Sequence, residues 1–131
     1  MAKYSYPAVF EKEDNGGFSV FFPDFEGCYT CGDDLTDSIY MAEDVLAFTL
    51  YDYEKEGKEI PAPSDPSSVH ADNGFVNFIA CDTLEYQKRN NNRAVKKTLT
   101  IPEWINEAAV KADINFSQLL QDALKEKLKL S

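Results

Sequence analysis

The sequence predicts an α+β fold: a small antiparallel sheet with one packed helix, followed by a separate C-terminal module. Short alternating segments separated by glycine-containing polar turns indicate the sheet. A helical apolar stripe in the first half indicates the packed helix. The charge then changes sign, because residues 1–87 carry a net charge of −14 and residues 88–131 a net charge of +4. A chain of 131 residues has room for one or two small domains.

The first three strand segments form a predicted meander. Residues Tyr4–Phe10 alternate as a strand does, and Pro7 should confine that strand to a sheet edge or to a strand end. Glycines in the polar run Glu11–Gly17 favour a hairpin turn into a returning strand at Phe18–Phe22. A third strand is predicted at Cys28–Cys31. The three strands therefore follow one another as antiparallel neighbours.

The next predicted element is a long helix, which Thr36 can cap and Gly57 can end. Its apolar positions step by three and four residues, and they are Ile39, Ala42, Leu46, Leu50 and Tyr53. Prolines make residues 60–66 a loop. The apolar run Gly74–Cys81 indicates a well-covered strand, so the first domain has the order β-β-β-α-β.

We predict a first domain at residues 1–83, a polar linker without periodicity at 84–93, and a second domain at 94–131. The second domain starts with a short alternating strand at Ala94–Ile101, with Leu99 and Ile101 facing inward. Pro102 suits the first position of a following helix. Ser117 is the predicted cap of a second helix, whose apolar stripe is Leu120, Leu124 and Leu128.

This second domain is too small to bury a core of its own, so the sequence predicts a homodimer or a higher oligomer. Two copies can pair their strands antiparallel and pack their helices together. The resulting two-stranded ribbon has a size that the DNA major groove admits. Lys96, Thr98 and Thr100 would face base edges, while Lys97 and the helix start at Ser117 would meet phosphates.

The segment from Lys96 to Glu103, followed by the segment from Asp113 to Leu120, resembles the ribbon-helix-helix family of DNA-binding proteins. The inter-helix turn often has glycine where this chain has Asp113, a residue that the left-handed conformation tolerates less well. The resemblance implies operator DNA as a partner. The alternative is a helical dimerisation tail without a DNA role, since lysine and threonine are common on any edge strand.

The whole chain also resembles the HicB antitoxin family. The resemblance rests on Pro23–Gly32, on Thr36 opening a helix, on Gly57 and Ile60–Ser64, and on the strand Gly74–Asp82 before the tail. It implies a partial ribonuclease-H-like first domain without catalysis. It also implies binding to HicA, a small basic toxin that cleaves RNA, and repression of the antitoxin's own operon.

The charge of the first domain agrees with this interpretation, because an acidic domain can mimic RNA for a basic ribonuclease and cover its catalytic surface. The predicted toxin contacts are Asp24, Phe25, Glu26 and Tyr29, together with exposed acidic residues of the long helix. One alternative for the acidic surface is plain solubility. Another is a stand-alone repressor whose acidic domain senses a ligand or a protein.

We expect no enzymatic activity, no cofactor and no metal. Cys28 and Cys31 form a C-x-x-C pair, but the carboxylates of Asp33 and Asp34 follow directly and oppose a reactive thiolate. A zinc site that also used Cys81 and His70 would have unusually wide spacing. A third class, a metal-dependent nuclease built on acidic residues such as Asp24, would need carboxylates that converge on one point.

The sequence also predicts a cytoplasmic protein. The first residues lack the apolar core of a secretion signal, and no apolar run approaches the roughly 20 residues that cross a bilayer. Three cysteines are an odd number, which favours reduced thiols over a disulfide framework.

Overall fold

The computed structural model describes residues 2–91 and 93–130. The chain divides into two compact units, Met1–Arg93 and Ala94–Ser131. Each unit is described on its own below.

The N-terminal unit contains a four-stranded antiparallel sheet. Its strands are β1 (Lys3–Lys12), β2 (Phe18–Phe21), β3 (Tyr29–Gly32) and β4 (Gly74–Asp82), in the order β3-β2-β1-β4. Strands β1 to β3 are consecutive neighbours, which confirms the predicted meander. Strand β4 then returns to the free side of β1, so that the first strand lies inside the sheet.

The position of Pro7 differs from the prediction, because β1 is a central strand. The structure accommodates the proline by staggering the neighbours of β1. Strand β2 pairs only with the half of β1 that starts at Val9, while β4 pairs along Lys3–Glu11. Pro7 therefore lies opposite Phe78 in the half of β1 that has a single neighbour. The missing backbone N–H of proline is tolerated there, because no described strand lies on the other side of Pro7 to accept a hydrogen bond from it.

Strand β4 also differs from the prediction, since the apolar run indicated a well-covered strand. It forms an edge of the sheet, and Ile79 is its one fully buried residue. A continuous apolar run does not reveal whether one face or both faces are covered. Here one face packs on the core and the other leaves Phe78 exposed.

The long helix α1 spans Leu35–Glu56 and lies against the sheet. Its cap is Asp34, whose carboxylate accepts a hydrogen bond from the backbone N–H of Asp37, so the prediction of Thr36 as cap was wrong by two positions. Asp34 competes well for this role because a charged oxygen caps a helix strongly. The predicted end at Gly57 is confirmed, with φ at 70° in the left-handed region.

The core lies between α1 and the sheet, and it combines aromatic residues from the strands with aliphatic residues from the helix. Its buried members are Tyr6, Ala8, Phe10, Val20, Phe22, Phe25, Cys28, Ala42, Leu46, Leu50 and Ile79. Three of the five predicted helix positions are fully buried, whereas Ile39 and Tyr53 pack at the margin. The predicted stripe thus describes the packed side of α1.

Residues 84–93, expected as an irregular linker, contain most of a second helix, α2 (Thr83–Asn90), which packs on α1. Asp82 caps it by accepting a hydrogen bond from the backbone N–H of Leu84. Short polar helices give little periodic signal, because their stability comes from a cap and a few contacts. The basic residues Lys88 and Arg89 belong to this helix, so residues 1–93 carry a net charge of −11.

The C-terminal unit contains two helices, α3 (Glu103–Lys111) and α4 (Phe116–Leu128). Pro102 lies one residue before α3 rather than at its first position. Asn115 caps α4 by accepting a hydrogen bond from the backbone N–H of Gln118, so the prediction of Ser117 as cap was wrong. Residues 94–101 form no strand within a single chain, and their predicted pairing with a second copy stays a prediction.

Candidate functional site

The turn between β2 and β3 contains the predicted toxin contacts, and the structure gives them different surroundings. The Asp24 carboxylate accepts hydrogen bonds from the Ser64 hydroxyl and, at 3.1 Å, from the Ser64 backbone N–H. Phe25 is buried in the core, with its ring centroid 4.7 Å from Tyr6 and 5.4 Å from Tyr53. These two side chains therefore hold the turn in place.

The other two predicted contacts are free to meet a partner. Glu26 is exposed at the tip of the turn. Tyr29 opens β3 and is 71% exposed. The turn thus presents one acidic side chain and one aromatic side chain to solvent.

Tyr29 lies on the outer face of the sheet, which we define as the face opposite α1. Phe21 and Phe78 lie on this face as well and are also exposed. The sequence analysis did not single out either residue as a contact. Their alternation with the core residues Val20 and Ile79 is the signal that places them outward.

The exposed side of α1 is a second acidic surface. Tyr40 and Phe48 are exposed there, 68% and 54% respectively, and so are Glu43 and Asp44. Residues at intervals of four share one side of a helix, so Tyr40, Asp44 and Phe48 form one row. This surface corresponds to the exposed helix acids that the sequence predicted as toxin contacts.

The predicted DNA-contacting side chains all belong to the C-terminal unit and are all exposed: Lys96, Lys97, Thr98, Thr100 and Ser117. Ser117 lies in the first turn of α4, near backbone N–H groups that a phosphate could accept from. Residues 96–100 lie in the segment without regular secondary structure.

Within residues 94–130, no residue is fully buried. The predicted inward positions are accordingly open, with Leu99 66% and Ile101 44% exposed. The other exposed large apolar residues of this unit are Val95, Trp104, Ile105, Val110, Ile114, Phe116, Leu119, Leu124 and Leu128. An isolated unit of this kind has no core, which is the property expected of a segment that folds against another chain.

The residues considered above as alternative zinc or nuclease sites do not form a metal site in the described part of the chain. Among residues 2–91 and 93–130, no group of three or more His, Cys, Asp or Glu side chains could hold a metal ion. Desolvation raises the pKa of Cys28, whose sulfur accepts a hydrogen bond from the Thr49 hydroxyl at 3.3 Å. Desolvation, followed by the nearby Asp82 carboxylate, raises the pKa of Cys81 to about 12. Neither thiol has the lowered pKa of a reactive cysteine.

Comparison with known proteins adds a family. The model of the HicB_like antitoxins of bacterial toxin-antitoxin systems matches residues 6–124. The chain belongs to this family. The match covers most of both units, so the HicB_like resemblance predicted from the sequence is confirmed.

Similar proteins agree with this assignment. Antitoxin HicB 2 of Photorhabdus laumondii is 39% identical over 59 residues, which span 45% of this chain and 42% of that antitoxin. The match thus covers less than half the length of that relative. A toxin-antitoxin complex from Streptococcus pneumoniae contains a chain that is 30% identical, with a TM-score of 0.64, and the match covers 95% of this chain and 99% of that one.

A further solved structure, a HicA3 and HicB3 toxin-antitoxin complex, contains a chain that is 29% identical, with a TM-score of 0.50, and the match covers 60% of this chain and 99% of that one. The predicted α+β class is confirmed, since the four-stranded antiparallel sheet and four helices match HicB_like antitoxin structures. In the described part of the chain, no helix has the length and apolar character needed to span a membrane.

Proposed function

We propose that this chain binds a small basic HicA-type toxin, covers the surface with which that toxin cleaves mRNA, and represses its own operon. The observation that carries the proposal is the family match across residues 6–124, together with the net charge of −11 over residues 1–93. The chain acts by binding and not as an enzyme. Its proposed partners, a toxin that acts on mRNA and an operator, place it in the cytoplasm.

The toxin-binding function rests on the N-terminal unit. An acidic surface attracts a basic ribonuclease and repels the RNA that competes for the same toxin surface. Glu26 is exposed at the tip of a turn that the buried Phe25 and the Asp24–Ser64 hydrogen bonds hold in place. Because the turn is already held in place, a contact with Glu26 has to order its side chain and not the turn as well.

The test measures toxin affinity and RNA cleavage with the full chain and its cognate HicA-type toxin. Wild-type chain should bind the toxin, stop cleavage, and lose affinity as salt rises. Glu26→Lys should weaken binding more than Glu59→Lys, which changes the net charge equally at another exposed position. Cleavage that continues with saturating antitoxin would disprove inhibition by occlusion.

The operator-binding function rests on the C-terminal unit. Its apolar residues are exposed in the single chain, so a second copy would supply the missing core. In the proposed dimer, residues 94–101 of two chains pair as an antiparallel ribbon, which also satisfies backbone groups that have no ladder partner. Lys96, Thr98 and Thr100 then read bases, while Lys97 and Ser117 contact phosphates.

The DNA test compares operator and random duplexes. Lys96→Ala or Thr98→Ala should cost about 1–3 kcal/mol for the operator per lost base contact, with less effect on random DNA. Lys97→Ala should weaken both duplexes alike and reduce the salt dependence. Lys127→Ala, a lysine in the last turn of α4, is the control for net charge. Equal losses from Lys96→Ala and Lys127→Ala would contradict the assignment of base-reading residues.

A further inference from the structure

The outer face of the sheet is more apolar than expected for a face that is open to solvent. In an antiparallel sheet with one face packed on a core, here against α1, the strand residues on the opposite face are usually polar. Here the strand positions that point away from the core include Pro7, Val9 and Phe21. Pro7 and Val9 are fully buried, so the exposed aromatic residues of this face, Phe21, Tyr29 and Phe78, are the ones that leave apolar surface for a partner.

The apolar residues of this face form one continuous row. The strand register places Val9 directly opposite Val76 on one side and Phe21 on the other, and Phe21 directly opposite Tyr29. Pro7, opposite Phe78, extends the row by a second pair. The row therefore crosses all four strands.

The residues of this row differ in solvent exposure: those at its centre are buried, and those beside them are exposed. Val9 and Pro7 are fully buried although they lie on the face opposite α1. Phe21, Tyr29 and Phe78 are exposed on either side of them, with Tyr29 at 71% and Phe78 at 45%. The buried residues leave no free area for a partner, so the exposed aromatic rings beside them supply the apolar contact area, and aromatic rings are common anchors of binding energy.

Charge is confined to the margin of the face. The row contains no charged residue, and Glu26 stands three positions before Tyr29 at its end. Interfaces combine an apolar centre with a polar rim, and the sign of the rim selects the partner. A second copy would bring together two units of net charge −11 each, whereas a basic protein is attracted to the same surface.

We propose that this outer face is the docking surface for the toxin, with Phe21, Tyr29 and Phe78 as apolar anchors and Glu26 as an acidic rim contact. The inference rests on the proposed function and specifies its surface. It requires a basic partner that presents an apolar patch among its positive charges. It also assigns the exposed side of α1 no part in toxin binding.

The experiment exploits two matched pairs of side chains in the full chain. Tyr29→Ser and Phe78→Ser alter the outer face, while Tyr40→Ser and Phe48→Ser alter the exposed side of α1 with similar initial exposure. Each variant is titrated against the purified cognate HicA-type toxin. Urea unfolding and sedimentation of each variant alone report stability and mass.

The expected result is a loss of toxin affinity of at least tenfold for each outer-face variant, the effect of removing an aromatic hot spot, and about twofold or less for the α1 variants. Tyr29→Phe should retain binding. Equal affinities of the outer-face and α1 variants would overturn the inference, and so would a loss of affinity confined to the two α1 variants. So would an outer-face variant that has half the wild-type mass with unchanged toxin affinity, because the face would then join two copies. Wild-type chain that fails to bind the toxin would instead overturn the proposed function.

Discussion

Asp24 and Ser64 are joined across 40 positions of the chain, with the carboxylate of Asp24 accepting hydrogen bonds from both the backbone N–H and the hydroxyl of Ser64. The contact ties the turn after β2 to the proline-rich loop that follows α1. That loop is also held by the Tyr6 hydroxyl, which donates to the carbonyl of Pro61. Asp24 therefore stabilises two irregular segments, each of which has little regular backbone bonding of its own.

Replacing Asp24 should therefore reduce stability. Asp24→Ala removes hydrogen bonds to a charged group, and we expect the free energy of unfolding to fall by about 1.5–3 kcal/mol. Glu26→Ala is the matched control two residues away, and as an exposed substitution it should change stability by less than about 0.5 kcal/mol. Urea unfolding, monitored by far-ultraviolet circular dichroism, measures the stability of both variants. Equal stabilities would show that the Ser64 contact contributes nothing.

The same two residues illustrate how far the sequence could predict the site. The sequence analysis assigned toxin contacts to this acidic turn, and the exposed Glu26 remains a candidate contact. Nothing local distinguishes it from Asp24, because the partner of Asp24 is distant in sequence and is known only from the fold. Phe25 was predicted as a contact because it lies in the same segment, although it packs against Tyr6 and Tyr53 and is buried.

The elements were predictable where periodicity was strong, as in α1 and the meander. The predictions were wrong where several residues compete to cap a helix, or where an element's exposure depends on which strands lie beside it. Asp34 caps α1 in place of Thr36, and Asn115 caps α4 in place of Ser117, because several capping residue types stand within two positions of each other. The edge position of β4 depends on the order of strands, which a single apolar run does not encode.

A second prediction concerns alkaline pH and Tyr4. Its hydroxyl donates to the Glu54 carboxylate at 2.8 Å, and Glu54 also accepts from the Thr83 hydroxyl at 3.2 Å. Desolvation, followed by the hydrogen bond and charge of Glu54, raises the pKa of Tyr4 from 10.0 to about 12. Above pH 10 the unfolded chain loses this proton while the folded chain keeps it, so stability should fall as pH rises from 10 to about 12.

The measurement for Tyr4 is urea unfolding at several pH values between 8 and 12, which cover the interval between the two pKa values. Tyr4→Phe should be less stable than wild type at pH 8 and should lose less stability over this range. Because the pKa of Cys81 is raised in the same direction, both proteins should also carry Cys81→Ala. Parallel pH profiles for the two proteins would contradict the assigned role of Tyr4.

A third prediction separates helix capping from DNA contact at the start of α4. The Asn115 side chain accepts a hydrogen bond from the backbone N–H of Gln118 at 3.0 Å. Asn115→Ala should lower the stability of the C-terminal unit by about 0.5–2 kcal/mol, the usual cost of losing a cap. Ser117→Ala should leave the thermal midpoint nearly unchanged and weaken DNA binding. Circular dichroism at one protein concentration, with a parallel DNA titration, distinguishes the two roles, and a larger loss of stability from Ser117→Ala would contradict them.

The last prediction concerns the turn between α3 and α4, where Asp113 has a φ of 57° in the left-handed region. A residue with a Cβ is strained there by about 1 kcal/mol, whereas glycine is not. Asp113→Gly should therefore stabilise the C-terminal unit by about 0.4–1 kcal/mol, despite the greater freedom that glycine gives the unfolded chain.

Asp122→Gly is the control, because it makes the same chemical change inside α4. There it should destabilise the unit by roughly 0.5 kcal/mol or more, since glycine is a poor residue for a helix interior. Opposite shifts of the thermal midpoint at equal protein concentration are expected, because the proposed dimer makes the midpoint depend on concentration. A decrease in both variants would show that the strain at Asp113 is already offset by contacts of its side chain.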